Sequence, residues 1–175
     1  MVINLKSHTQ STKQRLINII LLTLFGVVMY ISQVIMSQLP NIEIVSLLII
    51  LVTRKFGYRA LASVYVFVGL EILTYGISMW VINYLYVWAI LFLVVLFIKK
   101  INNAFLYAFI AAVFGLFFGI LCSVPYFISG GFAFGISYIV SGLGFDLLHC
   151  GGNFLTVLIL YNPLTKVLDK AVKTA

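Results

Sequence analysis

Ser141-Gly-Leu-Gly-Phe-Asp-Leu-Leu-His-Cys-Gly-Gly-Asn153 places an acid, an imidazole and an amide inside an otherwise apolar segment. Asp146, His149 and Asn153 are spaced i, i+3 and i+7, so a helix over this stretch puts them on one face. A lipid-facing helix would tolerate none of them. Ionisable groups at membrane depth are costly, and they face a cavity or the interior of a bundle. Two readings stay open at this point: the face looks into a binding site, or it forms a satisfied interhelical hydrogen-bond cluster. The glycines at 142, 144, 151 and 152 allow close backbone approach or a local break.

The surrounding chain supplies the setting. Of 175 residues, 63% are hydrophobic and 9% charged, and the mean hydropathy of +1.19 is that of an integral membrane protein. No polar stretch is long enough for a soluble catalytic domain. The net charge of +7 does not point to nucleic acid, because the basic residues form short clusters between apolar runs, as topology signals do. Cys122 and Cys150 both lie in apolar segments, which favours buried thiols over a disulfide or a metal site. The first apolar run is long enough to span and lacks a small-residue cleavage site, so no cleavable signal peptide is expected.

In order, residues 1–14 read as a polar cytoplasmic lead. The first span runs from about Arg15 to Met36, with Pro40 ending the helical run. The second starts near Ile42 and ends at the basic turn Thr53-Arg-Lys-Phe-Gly57. The third covers about Tyr58–Ile77 and the fourth about Trp80–Ile98. The fifth covers about Ala104–Val124, followed by Pro125 and Ser129-Gly-Gly131. The sixth segment, about Phe132–Leu160, is too long for one straight span, and its glycines are expected to divide it. A polar tail, 163–175, follows. All eleven basic residues fall before span one, between spans two and three, between four and five, or after six. The positive-inside rule then predicts an all-α integral membrane protein forming one domain, a six-helix bundle over about 15–162 with both termini cytoplasmic.

Depth follows from the helical rise. Glu71 is about 18 Å beyond Arg59, and Asp146 about 30 Å before Lys166. With Glu43 at the start of span two, three of the four acids gather on the outer side. Tyr75, Trp80, Asn83, Tyr84, Tyr86 and Trp88 collect at the same level. An interfacial aromatic belt would explain Trp80 and Tyr126. Asn83 and Trp88 lie inside the span, and with Glu71 and Asp146 they suit an aromatic-walled pocket with a few fixed polar groups. The candidate site is therefore Glu71, Asn83, Tyr84, Trp88, Asp146, His149 and Asn153, with the surroundings of Pro40 and Glu43 as the fallback. Glycine-rich phosphate loops, zinc-protease helices and nucleophile elbows are absent, so neither an enzyme, a cofactor nor a metal is expected. A channel would need oligomerisation.

Leu39-Pro-Asn-Ile-Glu-Ile-Val-Ser46, Trp80-Val-Ile-Asn-Tyr-Leu-Tyr-Val-Trp88 and Ser141–Asn153 carry a resemblance. Together with the six-span layout, they make the whole chain resemble the substrate-binding S component of an energy-coupling factor (ECF) vitamin transporter. The resemblance implies capture of a vitamin or precursor from outside, in the plasma membrane of a Gram-positive bacterium. It implies as partners a transmembrane coupling subunit and two ATP-binding-cassette ATPases. The likeness leans towards cobalamin-type members, with pantothenate and pyrimidine, pyridoxine or queuosine precursors as alternatives. No basic residue lies on the outer side, which disfavours strongly anionic substrates. Many S components carry an Ala-x-x-x-Ala-like pattern on span one that docks the coupling subunit. Here that region reads Leu21-Leu-Thr-Leu-Phe-Gly-Val-Val28, leaving Gly26 as the candidate partner contact. The reading from another class is a structural or accessory membrane subunit with no ligand.

Overall fold

The structure, a computed structural model, describes residues 5–39 and 41–174, with backbone only at 5–11, 13, 173 and 174. Pro40, expected to end the first span, lies outside the described residues. Among these residues the chain is helical throughout, without a strand. The elements are α1 (Leu5–Met36), α2 (Val45–Phe56), a 3₁₀ turn (Gly57–Ala60), α3 (Leu61–Tyr75), α4 (Met79–Ile98), α5 (Ala104–Leu116), α6 (Phe118–Cys122) and α7 (Val124–Thr174).

Four stretches are long and apolar enough to cross a membrane: 14–36, 45–75, 79–98 and 124–172. Ala104–Leu116 is a shorter apolar helix. The expected second and third spans fall within the run 45–75, which bends sharply at Gly57, where φ is 62°. Large apolar side chains face outward along the bundle. Leu73, Phe97 and Phe132 are 83%, 86% and 77% exposed, a pattern suited to lipid rather than water.

Local signals set the helix ends. Glu43 Oε2 accepts the Ser46 N–H at 2.8 Å, satisfying a free donor at the start of α2. Asn103 Oδ1 accepts the Leu106 N–H at 3.1 Å and caps α5. Arg54 and Lys55 occupy the last turn of α2, where cations complement the helix dipole. Every residue of α2 from Val45 to Thr53 is buried. A helix that is apolar on all sides belongs in the centre, and here the other helices pack around it.

Printed contacts give the chain's course. Ser63 Oγ donates to Leu22 O at 2.7 Å, and the Tyr30 hydroxyl meets Thr74 Oγ1 at 2.7 Å, so α1 and α3 run parallel. Ser46 meets Asn153 and Lys55 meets Asp169, so α2 and the second part of α7 run parallel as well. Tyr107 stacks on Tyr161 while Ala111 O accepts from Asn153 Nδ2, so α5 and α7 are antiparallel. As a result Gln14, Asn18, Arg54, Arg59, Lys99 and Val172 meet at one end. The 37–43 connection meets Tyr84, Phe118 and His149 at the other.

One expectation is corrected. The helix that contains Ser141–Asn153 is unbroken, because the one non-helical residue inside α7 is Gly131, with φ 77°. In an apolar medium every backbone group needs an internal partner, and a mid-helix glycine costs only about 1 kcal/mol. Close approach comes from the opposite helix. A Cβ at Gly115 would stand 2.8 Å from the His149 carbonyl carbon, and one at Gly119 would stand 2.3 Å from Asp146 Oδ2. Gly26, the expected partner contact, is buried against α3, where an added Cβ would stand 2.6 Å from Val66 Cβ and 2.7 Å from Ser63 O. Small residues let helices approach closely, and here the close approach is between α1 and α3.

Candidate functional site

A cleft of about 250 Å³ opens at the end opposite the basic turns. The end of α1 contributes Gln33, and the following connection contributes Asn41 and Glu43. Tyr84 and Trp88 come from α4, Phe118 from α6 and His149 from α7. The i, i+4 spacing of Trp80, Tyr84 and Trp88 on α4 stacks their rings edge to face, with centroids 5.3 Å apart at each step. The row continues through Phe118, 5.6 Å from Trp88, to His149, 4.8 Å from Phe118. This makes an aromatic wall drawn from three helices.

The polar groups sit against that wall. His149 Nε2 donates to Glu43 Oε1 at 3.2 Å, and both side chains are almost fully buried. Gln33 Nε2 donates to the Tyr84 hydroxyl at 3.1 Å. Burial opposes ionisation of Glu43. The His149 hydrogen bond, the His149 charge and the Ser46 hydroxyl and N–H outweigh it, so the carboxyl is held below its ordinary range. Trp88 Nε1 and His149 Nδ1 are buried and, among the described residues, have no hydrogen-bond partner. A buried unmade hydrogen bond costs about 1–3 kcal/mol, which a polar group placed in the cleft would recover at these two atoms; Glu71, Asn83, Asp146 and Asn153, outside the cleft, also carry buried polar atoms without a partner among the described residues.

Of the expected site residues, Tyr84, Trp88 and His149 line this cleft, and Glu71, Asn83, Asp146 and Asn153 do not. Asp146 Oδ1 accepts the Gly119 N–H at 3.0 Å. Asn153 Nδ2 donates to Ser46 Oγ at 3.2 Å and to Ala111 O at 3.3 Å. Both therefore tie α7 to neighbouring helices, while Asp146 Oδ2 and Asn153 Oδ1 have no partner among the described residues. Asn83 Oδ1 accepts from the Tyr86 hydroxyl at 2.8 Å. Glu71 is fully buried on α3, and neither of its oxygens has a partner among the described residues. The fallback around Glu43 proves to be one wall of the cleft. Gln33, Asn41 and Phe118 were not singled out from the sequence. Gln33 carried a signal, being an amide inside an apolar span, whereas Phe118 is one phenylalanine among fifteen.

Glu43 and His149 offer two metal-ligand types, and no group of three or more exists among the described residues. No family model, curated protein or solved structure matches the chain.

Proposed function

We propose that the chain captures a small molecule on the outer side of a cell membrane and passes it to an energised partner, as an S component does in an ECF-type importer. In this reading the chain crosses the membrane six times, with both termini cytoplasmic. The runs 14–36, 45–56, 61–75, 79–98, 104–130 and 132–172 alternate in direction. The partners would be a transmembrane coupling subunit and two ATPase subunits, since this chain carries no nucleotide-binding motif.

The observation that carries the reading is the cleft itself: an aromatic wall faced by the buried Glu43–His149 pair, with the indole N–H of Trp88 unpaired. Its lining holds a carboxylate and no lysine or arginine, which suits a neutral or cationic guest. Its volume of about 250 Å³ lies at the lower edge of small-molecule sites, which run from about 300 Å³ upward. That size favours a pyrimidine- or pyridoxine-like precursor over a corrinoid. The structural-subunit reading finds its support in Asp146 and Asn153, whose hydrogen bonds hold helices together.

Mass spectrometry of small molecules co-purified from cells grown in rich medium tests the proposal. One stoichiometric, heat-released compound, lost in Trp88→Ala protein that still elutes as a folded monomer, is the expected result. Protein that carries no small molecule, and whose indole fluorescence answers to no vitamin precursor, would leave the structural reading standing.

A further inference from the structure

The end of the bundle opposite the cleft holds a larger cavity, about 540 Å³. Arg54, Lys55 and Arg59, from the end of α2 and the turn after it, line the cavity together with Lys99 and Lys100 at the end of α4. Gly57 makes room for them: its φ of 62° suits glycine, and a Cβ there would stand 2.8 Å from Lys99 Nζ. Five cations thus converge on one concavity. Of the four carboxylates in the sequence, Glu43 and Asp146 belong to the other end and Glu71 to the far half of α3. Asp169 is the one at this end, and it pairs with Lys55. Among the described residues no carboxylate pairs with Arg59, Lys99 or Lys100. A rule that merely keeps positive charge in cytoplasmic turns does not require those charges to share a cavity.

An apolar groove of about 290 Å³ adjoins this cavity. It runs between Leu21, Leu24, Phe25 and Val28 on α1 and Leu168 and Ala171 on α7. Three features join the two. Gln14 and Asn18 in the cavity lie on the same face of α1 as Leu21 and Phe25 in the groove, at i, i+4, i+7 and i+11. Val172 in the cavity is the neighbour of Ala171 in the groove. Phe56 of the cavity meets Phe25 of the groove, with ring centroids 6.4 Å apart. A cationic hollow continuous with a hydrocarbon trough has the shape of an amphiphile with an anionic head. A free phosphate would leave the trough unfilled, and an apolar peptide would leave the charges unanswered.

We propose that this end binds one anionic phospholipid, with its phosphate among Arg59, Lys99 and Lys100 and an acyl chain in the α1–α7 groove. The site is independent of the ligand cleft and rests only on the chain's lying in a bilayer.

Native mass spectrometry of the purified full chain, with lipids added back from detergent, tests it. The probes are dioleoyl phosphatidylglycerol, dioleoyl phosphatidylcholine with the same tails, and inorganic phosphate. Wild type should retain one phosphatidylglycerol, retain no phosphatidylcholine under the same activation, and melt at a higher temperature only with the former. The double variant Lys99→Gln/Lys100→Gln should bind phosphatidylglycerol about tenfold more weakly, and Leu24→Asn in the groove should weaken it as well. Lys99→Arg/Lys100→Arg and the outlying Lys166→Gln should retain it. Equal retention of the two lipids by wild type would overturn the proposal even if the double variant failed to fold. A melting shift with inorganic phosphate as large as that with phosphatidylglycerol would overturn it too, by making the cavity a soluble-anion site.

Discussion

His149 on α7 donates through Nε2 to Glu43 Oε1 across 3.2 Å, joining residues 106 positions apart in the wall of the cleft. The same carboxylate caps α2 through the Ser46 N–H. One buried side chain therefore holds a helix start, a connection and the middle of another helix in register. Removing one partner of a buried hydrogen bond typically costs about 1–3 kcal/mol, because the other group is left unpaired. We expect His149→Ala to lower the melting temperature strongly and Glu43→Gln, which keeps the size and one acceptor, to lower it less. Equal, small losses in a thermal shift assay would make the contact incidental.

The same pair sets an acid limit. Glu43 is held below its ordinary range in the folded state, so its contribution to stability is fully present above the ordinary carboxylate range. That contribution is lost as the pH falls through the lowered folded value. Melting temperature against pH should therefore drop more steeply at the acid end for wild type than for Glu43→Gln. Parallel curves for the two proteins would assign the acid sensitivity elsewhere.

Trp88 offers a substitution that separates wall from hydrogen bond. Trp88→Phe keeps an aromatic ring in the row between Tyr84 and Phe118 and removes the buried indole N–H. If that N–H meets the guest, affinity should fall by about tenfold with little change in stability, since a buried group left without its partner costs about 1–3 kcal/mol. Calorimetry with the co-purified compound measures it. Unchanged affinity would leave Trp88 as wall alone.

Gly26 and Gly69 make an internal comparison. A methyl at Gly26 would meet Val66 and the Ser63 carbonyl at under 3 Å, while nothing lies within 4 Å of a methyl at Gly69. Gly26→Ala should destabilise by about 1–3 kcal/mol through overpacking. Gly69→Ala should be neutral, or stabilising by up to about 1 kcal/mol through helix propensity. Paired denaturation curves decide. Unchanged stability in Gly26→Ala would make the close α1–α3 approach dispensable.

Orientation is open to chemistry. In a background lacking Cys122 and Cys150, a cysteine at Asn102 should be shielded from an impermeant thiol reagent in intact cells, and one at Gln38 should react. The reverse pattern would invert the protein and move the cleft to the inner side.

The sequence made the all-helical character legible, along with the inward polar face of α7 and the gathering of the basic turns at one end. Those rest on hydropathy, a seven-residue spacing and charge placement, which local reading handles well. Tyr84, Trp88 and His149 meet in the wall of the cleft; one helix periodicity carries two of them, and an expensive imidazole marks the third. The remainder depends on which face of an apolar helix turns inward, and a helix apolar all round does not encode that. Gly26, read as a partner contact, packs against Val66 and Ser63 of α3. Gly115 and Gly119 went unnoticed as the small residues that admit α7. Glu71, Asn83, Asp146 and Asn153 sat at the right depth but outside the cleft.

The central helix α2 reaches both chambers of the molecule. Glu43, just before its first turn, stands in the wall of the cleft, and Arg54 and Lys55 in its last turn stand in the wall of the basic cavity. Its twelve residues make a rod about 18 Å long, buried from Val45 to Thr53. The two chambers therefore share one rigid strut, so a substitution that shifted α2 along its axis would disturb both mouths of the molecule at once.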